Sequence, residues 1–149
     1  MITDEMENQL RELLATQRLA VLATQSHEQP YCSLVAFAVT PDLRRLFFAT
    51  SRNTRKYANL VSRSQVALLI DNRSGEDRDF HEAMAATAVG TAEEVAAEDV
   101  AEARTLYLSR HPHLVDFVNS PTCALLGVTV RRYYVVTHFQ QVVEYHIEP

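Results

Sequence analysis

Two short apolar runs constrain this chain more than anything else in it. Leu46-Phe47-Phe48 and Val66 to Ile70 are both strand-like. Directly after the first run, Thr50, Ser51, Arg52, Asn53, Thr54, Arg55 and Lys56 crowd hydroxyls and cations together. Tyr57, Leu60 and Val61 then recur at helical spacing. Leu46 to Asp71 therefore reads as strand, tight basic turn, short helix, strand.

The turn has the chemistry of an anion site. A helix starting near Asn53 or Thr54 leaves backbone N–H groups unpaired at the positive end of its dipole. The hydroxyls of Thr50, Ser51 and Thr54 are donors. Arg55 and Lys56 add charge, and an arginine grips a phosphate through two parallel bonds. The stretch offers a phosphate site with no glycine-rich loop. The plain alternative is a capped surface helix with a solvated basic edge.

Composition narrows the rest. A chain of 149 residues with 47% hydrophobic content suits one globular domain over residues 1–149. No apolar run is long enough to cross a bilayer. The acidic start MITDEMENQL lacks the layout of a secretory signal, so a cytoplasmic protein is expected. A net charge of −5 argues against nucleic acid, since the basic cluster from Arg52 to Arg63 fits one phosphate better than a duplex. Cys32 and Cys123 are far apart, which argues against a disulfide framework or a zinc site; both are expected to be buried thiols.

In chain order, Asp4 is a helix cap with Glu7 as its partner, and Met6, Leu10, Leu13 and Leu14 form one face of a helix ending near Gln17. Leu19–Thr24 is a short strand. Pro30 opens a second strand through Val39 that is apolar on both faces and is expected to be buried on both. After the turn at Thr40-Pro41-Asp42, Arg44–Thr50 returns as a third strand, completing a meander. Asp71–Asp79 is a polar loop. Phe80–Val95 reads as a long strand rich in small residues, which permit close approach of a ring, a ligand or a backbone; tight packing against a helix is the alternative. Glu98–Arg110 is a helix stopped at His111-Pro112-His113, and Leu114–Val118 is a further helical turn. Cys123–Thr137 and Val142–Ile147 are strands, with a turn or bulge at Gln140-Gln141. Strands dominate and the helices are accessories. The expected fold is mainly β: an antiparallel barrel of six or so strands with peripheral helices.

The histidines give little. His111 and His113 have no third ligand beside them, and a solvated helix end is the simpler reading. No GxSxG elbow and no glycine-rich dinucleotide fingerprint is present.

A strand ending in Thr50, then Thr54-Arg55-Lys56, then a helix and an apolar strand, resembles the FMN-binding split barrels similar to pyridoxamine 5′-phosphate oxidase. The order of elements matches from about Arg18 to Gly90, and more loosely to the C-terminus. The resemblance implies a split β-barrel in which Thr50, Ser51, Thr54, Arg55 and Lys56 hold the FMN phosphate. It implies that the backbone of Ser33, Leu34 and Val35 borders the ring, with Asn72 or Arg73 near it. It further implies a homodimer with the cofactor at the interface and an oxidoreductase of a small molecule. The oxidase proper is not implied: the chain has Ser33 and Ala85 where that enzyme has arginine and glutamine, and contains no tryptophan, so its C-terminal tryptophan motif is missing. Two alternatives stand beside this reading. One is a non-catalytic flavin module. The other is a haem-binding or haem-degrading barrel with His138 or His146 as ligand.

Overall fold

The computed structural model describes residues 2–138 and 141–148. Its first helix, α1 (Asp4–Thr16), is capped by Thr3 rather than Asp4: the Thr3 hydroxyl accepts the Met6 amide at 3.2 Å. Asp4, Glu5 and Glu7 occupy the first turn, where the dipole favours them. Leu10, Leu13 and Leu14 are buried.

Strands β1 (Leu19–Ser26), β2 (Gln29–Val39) and β3 (Arg45–Ser51) form the expected meander. The β1–β2 turn places His27 and Glu28 at φ 50° and 70°, the sign pattern of a type I′ turn built without glycine. In the β2–β3 turn the Asp42 carboxylate accepts from the Thr40 hydroxyl (2.6 Å) and the Arg44 amide (3.0 Å). These bonds hold its carboxyl below the usual range. Helix α2 (Arg55–Ser62) leads to β4 (Gln65–Asp71).

The long strand expected from Phe80 starts later. Asp79–Glu82 is a helical turn, α3, and β5 spans Ala85–Glu94. The Asp79 carboxylate takes the Ser74 and Gly75 amides, while Asn72 Oδ1 accepts the Met84 amide at 2.7 Å. These bonds curl residues 72–84 into a local loop before the ladder begins. Helix α4 (Val100–Arg110), a 3₁₀ turn at Pro112–Leu114 and α5 (Val115–Val118) precede β6 (Cys123–Thr137) and β7 (Gln141–His146). Gln140, read as part of a turn, lies outside the described residues, and Gln141 already belongs to β7.

The sheet order is β3-β2-β1-β4-β5-β6-β7, and β3 also pairs with β6. Six antiparallel strands therefore close into a barrel, with β7 appended. Leu22, Phe37, Phe48, Leu68, Ala88, Leu126 and Tyr133 fill the interior. Ala86, Ala88 and Ala92 face it at 0–2% exposure, so the small residues of β5 make room for larger side chains inside the barrel. Gly90 has a different reason. A β-carbon there would collide with the Thr129 carbonyl oxygen, at the point where the β5–β6 register slips.

Helix α1 closes one barrel end, where Arg11 donates to the Pro41 carbonyl and the Tyr145 hydroxyl to Glu7 (2.5 Å). Helix α2 closes the other, through Leu60 in the core and Asn59 donating to Thr24 at 3.0 Å. Helix α4 packs Ala103 and Tyr107 onto Ala38, Phe47 and Ala49.

Candidate functional site

β2 and β3 pair only from Phe37↔Phe48 to Val39↔Leu46. Beyond that they diverge: β2 stays on β1 up to Gln29, while Ala49–Ser51 stays on β6. Among the described residues, this split leaves residues 32–35 with no strand on one side. It also corrects the expectation for β2. Only its second half is buried on both faces; Cys32 is exposed rather than buried, and Leu34 is 65% exposed.

The inner end of the split is closed from α4. Tyr107 donates its hydroxyl to the Ala36 carbonyl at 3.0 Å. His111 Nε2 lies 2.7 Å from the Phe37 carbonyl. His111 is thus buried at 1% exposure, not the solvated helix end its Pro neighbour implied. Burial lowers its pKa, and Arg110, His113 and Arg18 oppose a further positive charge. Burial pushes the Tyr107 phenol up to about 12, so it stays a donor.

The basic turn begins where β3 ends. Thr54 caps α2: its hydroxyl accepts the Tyr57 amide (3.3 Å) and donates to the Ser51 carbonyl (2.9 Å). The 2.9 Å contact between Thr50 and Thr54 is then donated by Thr50, which is 1% exposed. Both threonine hydroxyls are therefore engaged in shaping the turn. Ser51 Oγ accepts the Asn53 amide at 3.3 Å and keeps its proton to donate.

The start of α2 is uncompensated. The amides of Arg55 and Lys56 have no hydrogen-bond partner among the described residues, and neither side chain makes an ion pair there. No acidic residue stands in the first turn. Arg55 leans over Tyr31 of β2, 5.8 Å from the ring centroid, which sets the turn beside the open edge of β2. On that edge Ser33 and Val35 point inward, the Ser33 hydroxyl buried with no partner among the described residues, and Leu34 points outward. The donor set suits a phosphate ester. The unpaired edge of β2 suits a ring lying against its backbone.

Asn72 and Arg73 lie elsewhere in the chain. Asn72 is bonded to Met84 and lines a cleft against α1, at the opposite end of β4 from α2. Arg73 pairs with Asp71 at 3.0 Å on the surface. A cleft of about 1190 Å³ is also remote, between α1, β7 and the β2–β3 turn. His138 and His146 are both exposed.

One feature had no signal in the sequence. Arg52, inside the basic turn, is fully engaged. Its guanidinium grips the Glu94 carboxylate through Nε and Nη2, both at 3.1 Å, and donates from Nη1 to the Cys123 carbonyl at 3.0 Å. Tyr57 donates to the same carboxylate at 2.5 Å. Arg52 and Tyr57 together hold the Glu94 carboxyl below its usual range. Glu94 in turn raises the Tyr57 phenol.

Comparison with known proteins places this geometry in context. The family model described as pyridoxamine 5′-phosphate oxidase matches residues 6–137. No curated protein sequence matches the chain. Among solved structures, the haem binding protein from Mycobacterium smegmatis superposes with a TM-score of 0.85 at 18% identity, over 98% of this chain and 60% of that one. The haem storage protein HutZ from Vibrio cholerae gives 0.75 at 17% identity, over 88% of this chain and 93% of that one. An FAD-binding protein from Mesorhizobium loti gives 0.69 at 13%, over 90% and 94%. At these identities the likeness is one of fold. The chain spans about three fifths of the length of the mycobacterial protein.

Proposed function

The chain belongs to the pyridoxamine 5′-phosphate oxidase family, and from that premise we propose that it is an FMN-binding flavoprotein, an oxidoreductase of a small molecule other than the pyridoxamine-phosphate oxidase itself. The observation that carries this reading is the start of α2, where free amides and unpaired cations stand beside an open strand edge. Arg55, Lys56 and the Ser51 hydroxyl would hold the phosphate, with Thr50 and Thr54 shaping the loop that presents them. Ser33, Leu34 and Val35 would border the ring through backbone groups on the side of β2 that β3 has left. Bound FMN supplies the hydride and electron chemistry; the chain supplies binding and orientation. Asn72 has no part in this site within one chain.

A second copy would complete it. Leu34 and Leu19 are 65% and 55% exposed on the outer face of β2 and β1, where Leu34 lies opposite Val21 and Leu19 opposite Ala36. Such a face supports a homodimer with the cofactor at the interface.

An absorbance spectrum from 300 to 600 nm, with and without added FMN, tests the proposal. A bound-flavin spectrum that disappears in the Arg55→Ala/Lys56→Ala double variant is expected. Unchanged affinity in that variant refutes the phosphate assignment. A Soret band lost on replacing His138 or His146 would replace flavin with haem.

A further inference from the structure

The three cations of the basic turn are not equivalent. Arg52 closes a network. Its backbone amide donates to the Thr122 carbonyl at 2.9 Å, and its guanidinium reaches Glu94 and Cys123. Glu94 is the last residue of β5 and Cys123 the first of β6. Tyr57 meets the same carboxylate from the first turn of α2. A single carboxylate therefore holds both ends of residues 52–57. The residues between, Asn53 to Lys56, include the free amides and both unpaired cations.

We propose that Glu94 is a positioning residue for phosphate binding, clamping Arg52 and Tyr57 so that the start of α2 is held open toward an anion. This rests on the phosphate reading of the turn. The sign of the effect separates a clamp from a mere neighbour. An acidic side chain beside an anion site repels the ligand, so its neutralisation alone should tighten phosphate binding. Freeing Arg52 adds a cation and should tighten it further. A clamp predicts the reverse: without Glu94 the turn loosens and phosphate binding weakens. Both side chains are partly solvated, at 40% and 42% exposure, but the bidentate geometry, the third bond from Tyr57 and the two strand ends it joins distinguish this clamp from an isolated surface pair.

The test compares FMN with riboflavin, which lacks the phosphate, on the full chain. Glu94→Gln is expected to weaken FMN by about five- to tenfold while riboflavin changes by less than about twofold. Tyr57→Phe, which removes one of the bonds, is expected to lose less in the same direction. Hydrogen exchange of the hydrogen-bonded amides that flank the free ones, those of Arg52, Thr54 and Tyr57, should speed up in both variants. FMN binding that is unchanged or tighter in Glu94→Gln overturns the clamp. So does an equal loss for both ligands, which marks a general structural defect, or unchanged exchange of those amides. If the unmodified chain does not prefer FMN over riboflavin, the phosphate reading itself fails and the clamp falls with it; that result is visible before any variant is made.

Discussion

Replacing Gly90 with alanine tests how the barrel sets up the site. The β5–β6 pairing runs Val89↔Arg132 and then Gly90↔Val130, so one residue of β6 is skipped. A methyl at Gly90 would collide with the Thr129 carbonyl oxygen, with the carbonyl carbon at 2.9 Å and the Val130 Cα at 3.1 Å. All three are backbone atoms, so no rotamer change relieves the contact, and β6 itself must move. Overpacking of this kind costs up to about 3 kcal/mol, and a displaced ladder bond adds about 1 kcal/mol. The lower chain entropy of alanine in the unfolded state returns about 0.5–1 kcal/mol. The net expectation is a loss of about 3 kcal/mol, or roughly 6–12 °C in a chain of this size. Gly75→Ala is the contrast. That glycine has open space around it but sits at φ +81°, so its substitution costs only the left-handed backbone strain, about 1–2 kcal/mol. Thermal melts followed by circular dichroism measure both. If Gly90→Ala melts within about 2 °C of the unmodified chain, the close approach and the bulge argument are wrong. The bulge also sets the register of the five β5 residue pairs from Gly90 to Glu94, including Glu94↔Leu126, so FMN affinity should fall along with stability.

Further expectations follow from single contacts. Thr54→Ala removes the cap of α2 and the acceptor of Thr50; it should cost about 1 kcal/mol by thermal melt and weaken FMN, with Thr54→Ser restoring both. His111 is buried with its pKa lowered, so the folded state resists protonation that the unfolded chain accepts. The stability it contributes is complete above about pH 6.5 and falls as pH drops through the folded value, by up to about 1.4 kcal/mol per pH unit. Denaturant melts from pH 7.5 to 5 should show that slope, and His111→Gln should flatten it; the same slope in the variant removes His111 as the cause. Leu34→Asp places a charge on the exposed outer face. It should yield a monomer by sedimentation and lower FMN affinity, whereas an intact dimer would move the interface elsewhere.

Local chemistry made most elements legible. Strand β6 was readable to its ends because β-branched and aromatic residues fill Cys123–Thr137 between a proline-bearing turn and a polar one. The β2–β3 turn was marked by Thr40 and Asp42, which act on their own neighbours. The errors share a cause: each needed a distant partner. Alternation alone could not reveal that β2 loses β3 beyond Phe37, so both of its faces read as buried. Asp79 was one more charge in a polar loop until its carboxylate captured the Ser74 and Gly75 amides. His111 read as solvated because the acceptor that buries it, the Phe37 carbonyl, lies 74 residues away.

The site follows the same rule at finer scale. Arg52 and Arg55 have the same side chain and stand three positions apart at a helix start, so spacing gives them equal claims on a phosphate. The structure divides them by what lies opposite. The end of β5 brings Glu94 against Arg52, while Arg55, among the described residues, meets the face of Tyr31 and no carboxylate. A guanidinium held by a carboxylate and two carbonyls serves the fold, whereas one resting on an aromatic face keeps its donors for a ligand. Which arginine meets Glu94 depends on the register of β5, and that register depends on the bulge at Gly90. The glycine that admits a backbone on one side of the barrel thereby decides which cation on the basic turn stays free.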